Sequence, residues 1–211
     1  MRARFFVSIV LLAALTTGFR IFPGEARWTT SVADPVVWLR FCERPEFDRN
    51  NLPSGDPLHG QTLTFNSLSQ SVRDDYSNVQ TSFIELRDTG TDAGFDPSRD
   101  RVIDVCFSGS LFLAAGFATR KTDGKTVTGC EIKLSDKLKS SAMGFVATLT
   151  HEIGHCMGLD HTQDLSYAIM SYFREPGLVR LQTDDKMGLT YMYPSDPEYG
   201  REAMTFGLSC N

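Results

Sequence analysis

The chain has no apolar run long enough to cross a bilayer as a helix. Its most apolar stretch, FFVSIVLLAAL from Phe5 to Leu15, holds 11 residues, against the roughly 20 a spanning helix needs. It has no internal repeat and no disordered composition, which excludes solenoids and extended linkers. It has no cluster of lysine and arginine, and its formal charge is −5, so nucleic acid and anionic membrane surfaces are poor partners. Histidine is scarce, with four in 211 residues. What is present, 41% hydrophobic and 22% charged residues, suits one globular domain with a sizeable core.

The start of the chain reads as an export signal spanning residues 1–26. Arg2 and Arg4 precede the apolar run, and Gly24-Glu25-Ala26 offers small residues for cleavage, the order found in secretory leaders. No cysteine stands at the exit to take a lipid, so an exported protein without a membrane anchor is expected, extracellular or periplasmic, and monomeric. Loss of residues 1–26 takes the basic count from 21 to 18 (Arg2, Arg4, Arg20) and the acidic count from 26 to 25 (Glu25), deepening the acidity. All five cysteines, Cys42, Cys106, Cys130, Cys156 and Cys210, lie beyond the leader. In an oxidising compartment they predict up to two disulfides, and composition leaves the pairing open.

Residues 27–194 carry the periodic segments. VVWLRF (Val36–Phe41), SFIEL (Ser82–Leu86), RVIDVCF (Arg101–Phe107), LFLAAGFAT (Leu111–Thr119) and CEIKL (Cys130–Leu134) are rich in β-branched and aromatic residues and predict strands. Val72, Tyr76, Val79 and Phe83 recur at helical spacing and predict an amphipathic helix between Asn66 and Phe83. A second helix is expected from Ser140 or Ser141, and a third, capped by Thr183, over Asp184–Tyr191. The layout is α/β or α+β. The tail, residues 195–211, has no clear periodicity, and Cys210 is a candidate tether.

Three of the four histidines fall in HEIGHCMGLDH, residues 151–161. On a helix, His151 and His155 lie about 40° apart, one turn above the other, where two imidazoles can meet one tetrahedral metal. Phe145, Leu149, Ile153 and Cys156 form a separate stripe that should face the core. Gly158 can take the positive φ that ends a helix and turns the chain, letting His161 swing back as third ligand. The pattern HExxHxxGxxH should arise by chance in roughly one chain in 10⁵ of this length. Three protein nitrogens leave zinc an open position, the catalytic rather than the structural arrangement. Cys156 points along the core stripe, as a buried thiol or half of a disulfide.

These residues resemble the signature of the metzincin metallopeptidases, which continues to a methionine turn, supplied here by AIMSY with Met170. Within that group the chain is most similar to the matrixins: Thr162 follows the third histidine, the run to Met170 is short, and LQTDDKMGLTYMYP (Leu181–Pro194) is similar to the family's last helix. The resemblance implies an α+β catalytic domain with a twisted, mostly parallel five-stranded sheet, an antiparallel edge strand, a long helix, the active-site helix and a short C-terminal helix. It implies one zinc on His151, His155 and His161, Glu152 as general base, Met170 as the floor of the site, and Asp185 as the acid that anchors the turn. It also implies that LFLAAGFAT is the edge strand that pairs with an extended peptide substrate through Leu113, Ala114 and Ala115. If the strands ending at Cys42 and Cys106 are neighbours, as in the family, those cysteines pair.

There are departures. Vertebrate matrixins hold a second zinc with histidines in this region, but Ala115 stands where one would align and His59 is the only histidine outside the motif, so one ion is expected. Asp88, Asp92, Asp96 and Asp100 make calcium a candidate, although their even spacing fits no known loop and favours a solvated acidic turn. Tyr172 stands where astacins and serralysins place a tyrosine that touches zinc or the oxyanion, and where matrixins usually have proline; a transition-state donor and a packing ring both remain open for it. The function implied is a secreted zinc endopeptidase, with a non-catalytic binding module of the same fold as the alternative.

Overall fold

The computed structural model describes residues 18–207 except 48, 99, 110, 112–113 and 163–165, with backbone alone for 204–207. Most of the expected leader, Leu113 and Cys210 lie outside the described residues.

Among the described residues eight strands and four α-helices follow one another: β1 Arg20–Ile21, β2 Arg27–Trp28, β3 Val36–Phe41, α1 Phe65–Ser77, β4 Glu85–Asp88, β5 Val102–Phe107, β6 Gly116–Asp123, β7 Thr126–Leu134, a 3-10 turn Asp136–Ser140, α2 Ala142–Cys156, β8 Leu159–Asp160, α3 Thr183–Met192 and α4 Pro197–Gly207. The main sheet runs β2-β7-β5-β3-β4, with β6 also on β7. All its pairings are parallel except β6 with β7. The mixed α/β architecture with an antiparallel edge strand is thus the one expected, with the two-residue β2 added to the five strands read from sequence.

Three local differences have physical causes. The edge strand begins at Gly116 rather than Leu111 and runs on to Asp123, because its pairing with β7 is propagated through the turn at Gly124, φ +58°, where glycine takes that angle without strain. Helix α3 starts one residue early: its N-cap is Gln182, not Thr183, and the Gln182 N–H is taken by the Asp185 carboxylate at 2.8 Å. The tail contains a helix, α4. Helix α2 is capped by Ser141, whose Oγ accepts from the Gly144 N–H at 3.1 Å.

The core lies between the sheet and helices α1 and α2. Leu39, Ile103, Ile132 and Leu134 from the strands meet Leu68, Val72 and Tyr76 of α1 and the whole expected stripe of α2, Phe145, Leu149, Ile153 and Cys156, all fully buried. Phe65 and Phe47 flank Phe145, with ring centroids 5.5 and 5.1 Å away. Parallel register puts Phe41 opposite Val105, so the next residues, Cys42 and Cys106, meet, and they are bridged. A second disulfide, Cys130–Cys156, ties β7 to the last turn of α2. Apolar packing and this bond hold the active-site helix at both ends.

Candidate active site

The cleft is built by four elements: α2, the turn after it, the Met170 loop and the start of β6. His151 and His155 project from one face of α2. Helix α2 ends at Cys156 with Met157 as its C-cap, and Gly158 follows at φ +98°, the left-handed conformation anticipated for it. The chain then reverses into β8, which pairs with β1 (Ile21 opposite Leu159, Arg20 opposite Asp160). That short ladder delivers His161 back over the helix.

His161 Nε2 lies 3.1 Å from His151 Nε2 and 3.3 Å from His155 Nε2. Ligands about 2.0–2.1 Å from a tetrahedral ion stand about 3.3 Å apart, so the spacing fits zinc. The tautomers fit too: His151 Nδ1 faces the Ile169 carbonyl at 2.7 Å and His155 Nδ1 the Leu159 carbonyl at 2.9 Å. Each carbonyl requires a proton on Nδ1, which leaves the Nε2 lone pair free to ligate. Burial, reinforced by neighbouring imidazoles, lowers the pKa of His151 to about 3 and of His155 to about 4, and burial lowers that of His161 against the opposing charge of Asp160. Neutral rings with converging lone pairs repel one another, and a cation at their focus removes the conflict. Among the described residues this trio is the one group of histidine, cysteine or acid side chains with metal-holding geometry.

Glu152 sits beside the trio, buried, with Oε2 lacking a hydrogen-bond partner among the described residues. Burial raises its pKa to about 7, against the Ala118 amide and Arg174, which pull it down. Gly116 passes so close that a Cβ there would lie 2.7 Å from Thr148 Cγ2 and 3.1 Å from Glu152 Cγ. A lone glycine in a strand is the one sequence signal that could have marked this approach.

Met170 is buried beneath the site, its sulfur against Gly154 between the turns that carry His151 and His155. The loop is held from below by Asp185, which accepts from the N–H groups of Ile169 at 2.8 Å and Met170 at 3.1 Å. From above, Thr162 and Ser171 form a bridge. Tyr172 is exposed, and its ring stacks on His161 at 3.9 Å and 21°.

A family model for matrixins matches residues 16–194. The chain belongs to the matrixin family. Membership brings a zinc metallopeptidase-type function and protein substrates. Among solved structures, a chain from the GM1 bound form of the ECX AB5 holotoxin is similar at 13% identity and a TM-score of 0.42, covering 84% of this matrixin and 87% of that chain.

Of the other sequence candidates, Ala115 lines the cleft and Ala114 is exposed beside it. His59 is elsewhere, on the Leu52 carbonyl. The acidic quartet does not converge: Asp88 pairs with Arg44, Asp92 with Arg73, and Asp100 takes the Asp96 N–H. Sequence reasoning passed over Arg174 and Thr148, which also line the cleft, and Phe22, whose ring lies 5.6 Å from that of His155. Nothing in their local sequence marks them. No helix among the described residues is long and apolar enough to cross a membrane.

Proposed function

We propose that this matrixin is an exported endopeptidase that cuts extended protein segments, with His151, His155 and His161 as ligands of one zinc and Glu152 as general base. The observation that supports it most is the convergence of three Nε2 atoms beside a buried carboxylate with an unpartnered oxygen. Zinc held there supplies Lewis acidity toward the scissile carbonyl and lowers the pKa of water toward about 7.

Glu152 Oε2 receives the proton of the attacking water and passes it to the leaving amine nitrogen. The substrate backbone adds to the edge of β6 not used by β7 and to the Ala114-Ala115 stretch just before it, where strand pairing fixes the scissile bond over the cleft. Gly116 keeps that strand close to Glu152. Tyr172 shields one face of His161, and we assign its exposed hydroxyl as a donor to the transition-state oxyanion. Met170 fills the floor and keeps water from beneath the ligands.

The test is cleavage of a diverse peptide mixture, read by mass spectrometry beside Glu152→Ala and a chelated sample. Cuts in the wild type that fall about 10²-fold or more in Glu152→Ala are expected, and chelation should remove them. A folded, zinc-loaded chain that cuts nothing would instead support a binding module of matrixin fold.

A further inference from the structure

We propose that Arg174 makes this matrixin select an acidic side chain, aspartate or glutamate, on the substrate residue that follows the scissile bond. The proposal rests on the endopeptidase reading and names the chemistry of its substrate.

The cleft encloses about 340 Å³, room for one side chain beside the reacting atoms. Apolar side chains are held by apolar walls with few polar groups. Here most of the lining side chains are polar: Thr148, Ser171 and Arg174 join Glu152, His151 and His161. Arg174 is the one cationic side chain of that lining. Among the described residues it has no ion-pair partner, and its one hydrogen bond is a long contact from Nη1 to the Ala147 carbonyl at 3.5 Å. Most of the guanidinium's donor capacity is therefore unspent.

The nearest carboxylates do not use it up. Asp185 accepts from the N–H groups of Ile169, Met170 and Gln182, and Glu152 is committed to the proton transfer. A planar guanidinium fork matches a carboxylate with two parallel hydrogen bonds. A half-buried cation without a partner is costly, and a substrate carboxylate that supplied one would be favoured for that reason.

The side of the cleft follows from Glu152. The group that protonates the leaving nitrogen must lie beside it, and Arg174 lines the same cleft as Glu152, its Nη1 reaching the Ala147 carbonyl one helical turn before His151. The residue carrying that nitrogen is the one after the scissile bond, and its side chain is the one that enters beside Arg174.

The test is a set of peptides identical except for Asp, Glu, Leu or Lys after the scissile bond, with kcat/KM measured for the zinc-loaded wild type, Arg174→Leu, Arg174→Lys and Arg174→Glu. The wild type should process the acidic members about tenfold or more faster than the leucine member. Arg174→Leu should abolish that ratio, Arg174→Lys should keep part of it, and Arg174→Glu should favour the lysine member. Cleavage in which the wild type prefers leucine, or in which the acid-to-leucine ratio survives Arg174→Leu, overturns the proposal and leaves the endopeptidase reading standing. Absence of cleavage of every member by folded, zinc-loaded enzyme overturns both.

Discussion

Asp184 stands beside the acid that holds the methionine loop, yet its situation is different. One of its oxygens is buried without a hydrogen-bond partner among the described residues. Burial, with the adjacent Asp185 charge second, raises its pKa from 3.8 to about 7, although the Phe19 N–H pulls the other way. The folded chain thus binds this proton more tightly than the unfolded chain does. The resulting stability is fully present below pH 3.8 and is lost as pH rises through about 7. Asp184→Asn keeps the shape and removes the buried charge. It should therefore stabilise the chain by about 1 kcal/mol at pH 8 after allowance for solvent screening, and leave it unchanged at pH 3.5. Denaturant titrations at the two pH values decide this, and an equal gain at both would refute the argument.

At the scale of elements, the site depends on a loop with no regular structure of its own. Residues 168–172 are placed by α3, whose Asp185 gathers three N–H groups, and by α2, whose Gly154 leaves room for the Met170 sulfur. Removing the carboxylate leaves three donors without acceptors in a buried place, at about 1–3 kcal/mol each before relaxation. Asp185→Ala should lower stability by about 3 kcal/mol and weaken zinc binding, because the Ile169 carbonyl that orients His151 belongs to the same loop. Calorimetry and zinc titration would show it; unchanged zinc affinity in a folded variant would detach the loop from the metal centre. The charge itself is visible in the sequence as the acid of a helix N-terminus, while its hold on the Met170 loop came from the family resemblance and from no local pattern.

At the scale of the whole molecule, residues 19–26 join the catalytic fold although the expected leader includes them. Phe19 and Ala26 are buried, β1 holds β8 just before His161, and Phe22 packs on His155 while Arg120 stacks over Phe22 at 4.0 Å. A leader of the kind expected from the sequence would have to be cut before Phe19, rather than after Ala26, to leave this packing intact. A chain beginning at Arg27 should be less stable than one beginning at Gly18 by about 3 kcal/mol, the burial of roughly two side chains, and should bind zinc more weakly. N-terminal sequencing of the protein purified from its source reads any cut directly, and equal melting temperatures and zinc affinities of the two chains would sink the idea.

The sequence by itself determined the main strands and helices of the domain and the histidine trio that could hold a metal. Helical spacing sets His151 and His155 on one face, Gly158 forces the reversal that returns His161, and the 3.6-residue stripe from Phe145 to Cys156 chooses the buried side; these are local consequences of backbone geometry. The family resemblance added the Cys42–Cys106 pairing, which parallel register realises. Only the tertiary structure decided that Cys130 meets Cys156, that Gly116 lies against Glu152, that Arg174 faces the cleft and that residues 19–26 brace the segment leading into the third histidine. Each is a contact between segments far apart along the chain, and no periodicity encodes which distant partner a cysteine, a glycine or an arginine will meet.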